Sequence, residues 1–449
     1  SGSIRVNPGQ SGPIRANPGG RDMESIMLTS ILTLLFLFQI PAAPPGVDIQ
    51  SEIGRLERNL QKNILPFWLG KSIDKVNGGY TINFGPRGEA KGPGVKMIVT
   101  QARQVWLLAR LARAGYCGKD CLEAAEHGYR FLRTKMWDER NGGFYWQVDA
   151  TGNEKQRPNK HLYGQSFALY AISEYALATG RRDVRDFAVE FFNLLEAKAH
   201  DQQYGGYREY FKPDWTPATD ESTSYMSGDP AGKLMNTHLH LLEALTTFYR
   251  ATTLPLGRER LLELINIQSN TVVRKSIGAC TDKYERDWTP RLDGENARVS
   301  YGHDLENIWL LIDACEAAGI SYRPFLDLFR TLFDYSLKYG YDEKNGGFYD
   351  SGRFNQPADR LVKVWWAEAE AIVSALYMHH LTGDQKYFKV YQKTLDLIEQ
   401  RFVDWENGEW HATLQPDGTV SGDKAQPWKA GYHNGRAMIE SIQLLKLLK

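Results

Sequence analysis

Five short stretches of this chain carry residue types suited to moving protons and holding a polar ring. S-Y-G-H-D-L-E-N-I-W-L-L, from Ser300 to Leu311, reads as the opening turn of a helix, with His303, Glu306 and Leu310 on one stripe at i, i+3 and i+7. An imidazole with a carboxylate one turn away can be oriented and can titrate near neutral pH, which suits general acid–base work. In K-L-M-N-T-H-L-H-L-L-E-A-L, Asn236, His240 and Glu243 share a stripe. His238 lies roughly 200° around the helix from His240, so the H-x-H is a poor metal clamp. In P-W-K-A-G-Y-H-N-G-R-A-M-I-E, Trp428 precedes a turn, His433 opens a helix, and Arg436 and Glu440 follow at i+3 and i+7. K-V-W-W-A-E-A-E-A puts Trp366 and Glu370 one turn apart, and T-Q-A-R-Q-V-W sets Arg103 in an apolar helix start. Singly, each has a structural reading: a core tryptophan, a satisfied histidine, a solvated helix charge.

Together they point to chemistry. Three histidines are expected at the same phase near three helix starts. Two imidazoles facing each other across a sugar supply the base and acid needed to remove and return a proton at a carbon next to an aldehyde. Arg103 would polarise the carbonyl oxygen and hold the developing enediolate, and Trp366 and Trp428 would stack on pyranose faces. Glycoside hydrolysis is the competing chemistry. It needs two carboxylates about 6.5–9.5 Å apart for inversion, with Asp304, Glu370 and Glu440 as candidates. A non-catalytic sugar-binding barrel would leave the phased histidines unexplained.

Composition narrows the partner. Lys plus Arg and Asp plus Glu both total 54 in 449 residues, so no net field draws the chain to nucleic acid or an anionic membrane. Twenty-three tyrosines and twelve tryptophans favour a carbohydrate. Cys117, Cys121, Cys280 and Cys315 are too scattered for a disulfide framework. The C-x3-C pair lacks the further ligands of a zinc site, and export of the chain would leave a local disulfide open to it.

Residues 1–22 contain two copies of a Gly/Pro/Ser-rich decapeptide, SGSIRVNPGQ and SGPIRANPGG, and read as a disordered tag-like segment. Residues 23–46 resemble a signal peptide, with an apolar run of about fifteen residues ending in small residues, too short for a comfortable transmembrane helix. An exported protein is expected, or a cytoplasmic one if that segment does not act. From residue 47 a turn-aromatic signature recurs: N-G-G-Y at Asn77, N-G-G-F-Y at Asn141, Y-G-G-Y at Tyr204, N-G-G-F-Y at Asn345 and N-G-E-W at Asn407. The copies lie about 65 residues apart with one doubled interval, and Cys280–Trp288 is expected to hold a degenerate sixth copy. Amphipathic helices at Gln101–Ala114, Tyr163–Thr179, Thr237–Thr252 and Ala367–Leu381 run between the turns. Six helix pairs closing on themselves make residues 47–449 a single all-α domain, an (α/α)6 barrel with short β-hairpins at one end.

N-T-H-L-H-L-L-E-A, S-Y-G-H-D-L-E, K-V-W-W-A-E-A-E, W-K-A-G-Y-H-N-G-R and K-H-L-Y-G-Q-S-F-A-L-Y-A-I-S-E-Y-A-L-A-T-G (Lys160 to Gly180) resemble the N-acylglucosamine 2-epimerase superfamily, above all its cellobiose 2-epimerases. The resemblance covers about residues 50–449. It implies an (α/α)6 barrel that inverts C2 of a reducing-end sugar through ring opening and a cis-enediol, without metal or redox cofactor. By motif it implies His303 and His433 as the acid/base pair, His240 assisting ring opening and Glu306 supporting His303. Arg103, Tyr163, Asn236 and Glu243 would hold sugar oxygens, and Trp366 and Trp428 would stack. The partner is then a small carbohydrate, the protein a monomer or dimer, and any membrane contact limited to an uncleaved N-terminal segment.

Overall fold

The computed structural model describes residues 43–218, 225–226 and 229–448. The tag-like repeat and most of the signal-peptide-like segment lie outside the described residues. Among the described residues no helix is long and apolar enough to cross a membrane.

Six inner helices carry the site: α3 (Ile98–Arg113), α5 (Leu162–Thr179), α7 (Met235–Thr252), α9 (Tyr301–Ala318), α11 (Trp365–Thr382) and α13 (Tyr432–Leu447). Each packs on the next around the ring, and α13 returns to α3, so the barrel is closed. Outside them lie α1 (Ile49–Asn59), continued through a π-turn by α2 (Leu65–Lys71), then α4 (Gly118–Phe131), α6 (Arg182–Lys198), α8 (Pro255–Asn266), α10 (Leu326–Gly340) and α12 (Gln385–Leu397). The inner helices are apolar nearly all round because they are covered on both sides, whereas the outer ones keep a charged face to water.

Two-residue strands lead directly into inner helices: β1 (Lys96–Met97), β2 (Lys160–His161), β3 (Lys233–Leu234) and β4 (Lys363–Val364). Each pairs antiparallel with a strand of the following unit. The first helical N–H groups are therefore bonded by that neighbour: Ile98 N–H to the Trp146 carbonyl, Leu162 to Glu209, Met235 to Asp282 and Trp365 to Ala412. That is why apolar Met97, Leu234 and Val364 can precede these helices with no capping side chain. It also explains why the helices begin one to three residues before the starts expected from periodicity. A bridge between Phe84 and Ala425 joins the first unit to the last.

The recurring turns sit at this same end. In five of them an aspartate (Asp74, Asp138, Asp201, Asp342, Asp404) is bonded by a buried lysine from the strand or loop ahead of the next inner helix, such as Lys160 Nζ to Asp138 Oδ2 at 2.7 Å and Lys363 Nζ to Asp342 Oδ2 at 2.7 Å. The fourth residue of an inner helix then docks the turn aromatic: Gln101 exchanges bonds with the Tyr80 backbone, Gln165 with Phe144, and Glu368 and His238 accept from Phe348 and Tyr207. His238 is thus structural, and burial pulls it down to about 3. The sixth copy lies one step upstream of its expected place. It spans Val273–Cys280, with the seven-residue spacing of Ile73–Tyr80, and Asp304 accepts from Cys280 N–H at 3.0 Å. Arg274 stands in place of the aspartate there, which hid the copy. Cys117 and Cys121 are joined in a disulfide at the start of α4.

Lys160 and Asp138 are nearly inaccessible. Lys160→Met leaves the carboxylate buried without its counterion and should cost about 3–5 kcal/mol, measured as a lowered denaturation midpoint with unchanged slope.

Candidate active site

The N-terminal turns of the inner helices enclose a cavity of about 190 Å³, lined by Arg103, Tyr163, Met226, Asn236, His240, His303, Glu306, Trp365, Trp366, Trp428 and His433. Nine of the ten site residues expected from sequence meet here. Glu243, expected to touch the ligand, instead lies a layer below. The volume is under the ~300–1,000 Å³ of pockets for drug-sized ligands. It suits one sugar ring, with Trp428, 38% exposed, left at the rim for more.

The three histidines do not share a phase. His240 is the sixth residue of α7, His303 the third of α9 and His433 the second of α13, so the site spans the first two helical turns rather than one level. Each has Nδ1 engaged: His240 with Glu243 Oε2 at 3.0 Å, His303 with Ser300 Oγ at 2.9 Å and His433 with Glu370 Oε1 at 2.7 Å. Nε2 is left for a ligand in all three. Burial pushes His303 down to about 4. Burial, and then the positive charge of Arg103, holds His240 and His433 well below the usual range. The rings are therefore neutral in the free protein. Trp366 packs against two of them, 4.7 Å from the His303 ring and 5.9 Å from that of His433. Gly302 makes room for it, since a Cβ there would lie 2.6 Å from the Trp366 ring.

Glu306 does not support His303. Its side chain runs toward the barrel axis, where Arg436 Nη2 donates to Glu306 Oε1 and to Glu370 Oε1, both at 2.8 Å. Arg436 Nη1 bonds Glu243 and the Tyr432 hydroxyl, and Tyr432 in turn donates to Glu243. Trp309 Nε1 donates to Glu370 Oε2 at 2.9 Å. One guanidinium thus joins the carboxylates behind His240 and His433. Three carboxylates against one buried guanidinium favour retention of a proton. Burial raises Glu306 to about 8; burial, and then Glu306, puts Glu370 well above the carboxylate range. Glu306, Glu370 and His433 offer atoms within 4.8 Å of one another, a spacing a metal ion could use, but Arg436 already bonds both carboxylates.

Arg103 donates to the Trp428 carbonyl and the Tyr163 hydroxyl, both at 3.0 Å, and lies over the Phe167 ring at 4.2 Å. Arg103 Nε, Asn236 Oδ1, Trp365 Nε1 and Glu306 Oε2 are buried without protein partners, a set that a hydroxyl-rich ligand satisfies. The acids suited to hydrolysis do not face one another across the cavity: Asp304 docks the Cys280 turn, Glu440 pairs with Arg110 toward the far end of the barrel, and Glu370 holds His433. Ser300, Tyr432 and Trp365 were missed. The sequence signal for Glu370 and Arg436 is a charge inside an apolar helix, which marks a buried, paired group.

Residues 78–437 match the N-acylglucosamine 2-epimerase (GlcNAc 2-epimerase) family model. The chain belongs to this family. Among relatives of this family member, the cellobiose 2-epimerase of Ruminococcus albus is 30% identical over 399 residues, covering 87% of this chain and 98% of that one. The D-mannose isomerase of Marinomonas mediterranea is 25% identical over 411 residues, 87% of this chain and 97% of that one. The solved structure of cellobiose 2-epimerase from Bacillus thermoamylovorans superposes with a TM-score of 0.80 at 29% identity, covering 88% of this chain and 99% of that one. This chain and that solved structure share the (α/α)6 barrel.

Because the folded-state value of Glu306 lies above its unfolded value, its stabilising contribution is full below about pH 4.5 and is lost as pH rises through 8. Glu306→Gln keeps an acceptor for Arg436 but cannot ionise, so the fall in melting temperature between pH 7 and 9 should be shallower in the variant than in the parent.

Proposed function

We propose that the protein is a sugar 2-epimerase that interconverts glucose-type and mannose-type reducing ends, with cellobiose or a related β-1,4 disaccharide as substrate. The observation that carries this reading is the pair of imidazoles, His303 and His433, that line one cavity sized for one sugar ring and both pack on Trp366. His303, held by Ser300, removes the C2 proton of the open-chain sugar. His433, coupled to the protonated Glu370 carboxyl, delivers a proton to the opposite face, and the roles exchange in reverse. His240, oriented by Glu243, serves ring opening at O5 and O1. Arg103 stabilises the enediolate oxygen together with Tyr163 and Asn236. Trp366 stacks on the reacting ring and Trp428 on the second sugar.

In heavy water the product should carry deuterium at C2; unlabelled product would point to hydride transfer or to return of a shielded proton. His303→Ala and His433→Ala should each lose roughly 10²–10⁴-fold in kcat while keeping the parent's circular dichroism, and retained turnover in both would reject the assignment. Product analysis with cellobiose, lactose, mannose and N-acetylglucosamine fixes the substrate. Aldose–ketose isomerisation of free mannose is the second reading, favoured by similarity to D-mannose isomerase.

Export belongs to the same proposal. It rests on the apolar run after Met23 and on the Cys117–Cys121 disulfide, a bond that persists in oxidising compartments. In the native host, thiol labelling of denatured protein should modify two cysteines before reduction and four after; four before reduction would place the enzyme in a reducing compartment.

A further inference from the structure

The five Asp–Lys turns differ in what covers the lysine. Two are plugged by a tryptophan at the tip of the next hairpin. In K-P-D-W-T, Lys212–Thr216, Trp215 Nε1 donates to the carbonyls of Asn141 and Gly142 at 3.0 and 3.2 Å, and Lys160 Nζ lies 5.3 Å from its ring centre. In E-R-D-W-T, Glu285–Thr289, Trp288 Nε1 donates to the Gly205 carbonyl at 3.2 Å, with Lys233 Nζ at 4.9 Å. Two other turns are filled from the outer helices: Phe131 covers Lys96 at 4.6 Å, and Phe67 packs at Gly408.

The turn at Asp342 has neither a tryptophan plug nor a phenylalanine filling among the described residues; Lys363 Nζ lies 5.3 Å from the Tyr349 ring at the groove wall, as Lys160 Nζ lies 5.9 Å from that of Tyr145. Its hairpin reads Q-P-D-G-T, Gln415–Thr419, and folds like the two tryptophan hairpins. Gln415 N–H bonds the Thr419 carbonyl at 2.8 Å and Gly418 N–H bonds that of Gln415 at 2.9 Å, as Lys212 does with Thr216 and Trp215 with Lys212. The tip residues also share a left-handed backbone, with φ of 67° at Trp215, 70° at Trp288 and 86° at Gly418. Gly418 thus stands where the others carry an indole, and the outer helix presents Leu397 rather than phenylalanine to Gly347. The result is a groove of about 590 Å³ that reaches down to Asp342, Lys363 and Leu397. The corresponding groove beside Trp215 has about 410 Å³ and stops at Arg140, Asn141 and the hairpin, above Asp138 and Lys160.

We propose that this groove binds a planar aromatic ring bearing an N–H donor, of the indole class, lying over the Lys363 ammonium and donating to the main-chain carbonyl of Asn345. Trp215 and Trp288 show the pose within the same protein. An ammonium beneath the ring favours an aromatic over an aliphatic ligand of equal size. Free indole and a tryptophan side chain on a peptide share this chemistry.

Fluorine NMR of 5-fluoroindole and saturation-transfer NMR of N-acetyltryptophanamide, each titrated against the full chain, test the site. The parent should broaden or shift the probe saturably, and N-methylindole should compete roughly fivefold less well for want of its N–H. Gly418→Trp should abolish binding and raise the melting temperature, because a Cβ at 418 meets only the exposed end of Arg401, at 3.2 Å. Leu397→Phe, which repeats the filling seen at Phe131, should do the same if the tryptophan variant fails to fold. Epimerase activity should be unchanged in both. Binding confined to the tryptophan amide supports the site with a peptide as its source. No saturable effect in the parent, undiminished binding in both folded variants, or equal competition by N-methylindole would overturn the proposal.

Discussion

The candidate site is built around one buried cation. Arg436 joins Glu243, Glu306 and Glu370 in a buried layer, and two of those carboxylates orient His240 and His433 through their Nδ1 atoms. A guanidinium suits that position because its planar fork can serve several acceptors at once and stays charged even though burial lowers it to about 10. A lysine would offer a point charge and lose the geometry. Fixing the rings through Nδ1 leaves both Nε2 atoms toward the cavity, and burial, with Glu306 alongside, raises Glu370 beside His433 well above the carboxylate range.

The scaffold solves a different problem. A catalytic cavity at the N-terminal ends of six helices would leave many backbone N–H groups without partners just where the walls must be rigid. Pairing the strand ahead of an inner helix with the next unit bonds the first N–H from outside, and the fourth side chain of the helix docks the neighbouring turn. The starts of α3, α7 and α11 are therefore held by adjacent units rather than by capping residues of their own, and α5 adds a cap from His161 to the Tyr163 N–H. Side chains in the first two turns inherit that rigidity.

Much of this could be read from the chain. The turn signature counted the units, and nine of ten chosen side chains line one cavity because inner-helix starts converge there. What escaped reading depended on direction. Spacing i, i+3 put Glu306 on the stripe of His303, but its side chain extends inward to an arginine distant in sequence, and the ring is held by Ser300, just ahead of the helix. Glu370 stood among the hydrolytic acids because its partner lies 63 residues away. The degenerate turn was misplaced because Arg274 replaces the aspartate on which the other five are built.

The bridge between Phe84 and Ala425, with the packing of α13 on α3, gives the assembly no terminal unit. An open stack of helix pairs can fray from its ends, losing one unit while the others persist. A closed ring has no such end, so removing any unit exposes two apolar flanks at once and the units stand or fall together. The same closure makes the order of units along the chain arbitrary with respect to the cavity. A chain cut in any exposed inter-unit loop and joined between α13 and α1, which pack on each other, would still bring the same six helix starts around the cavity.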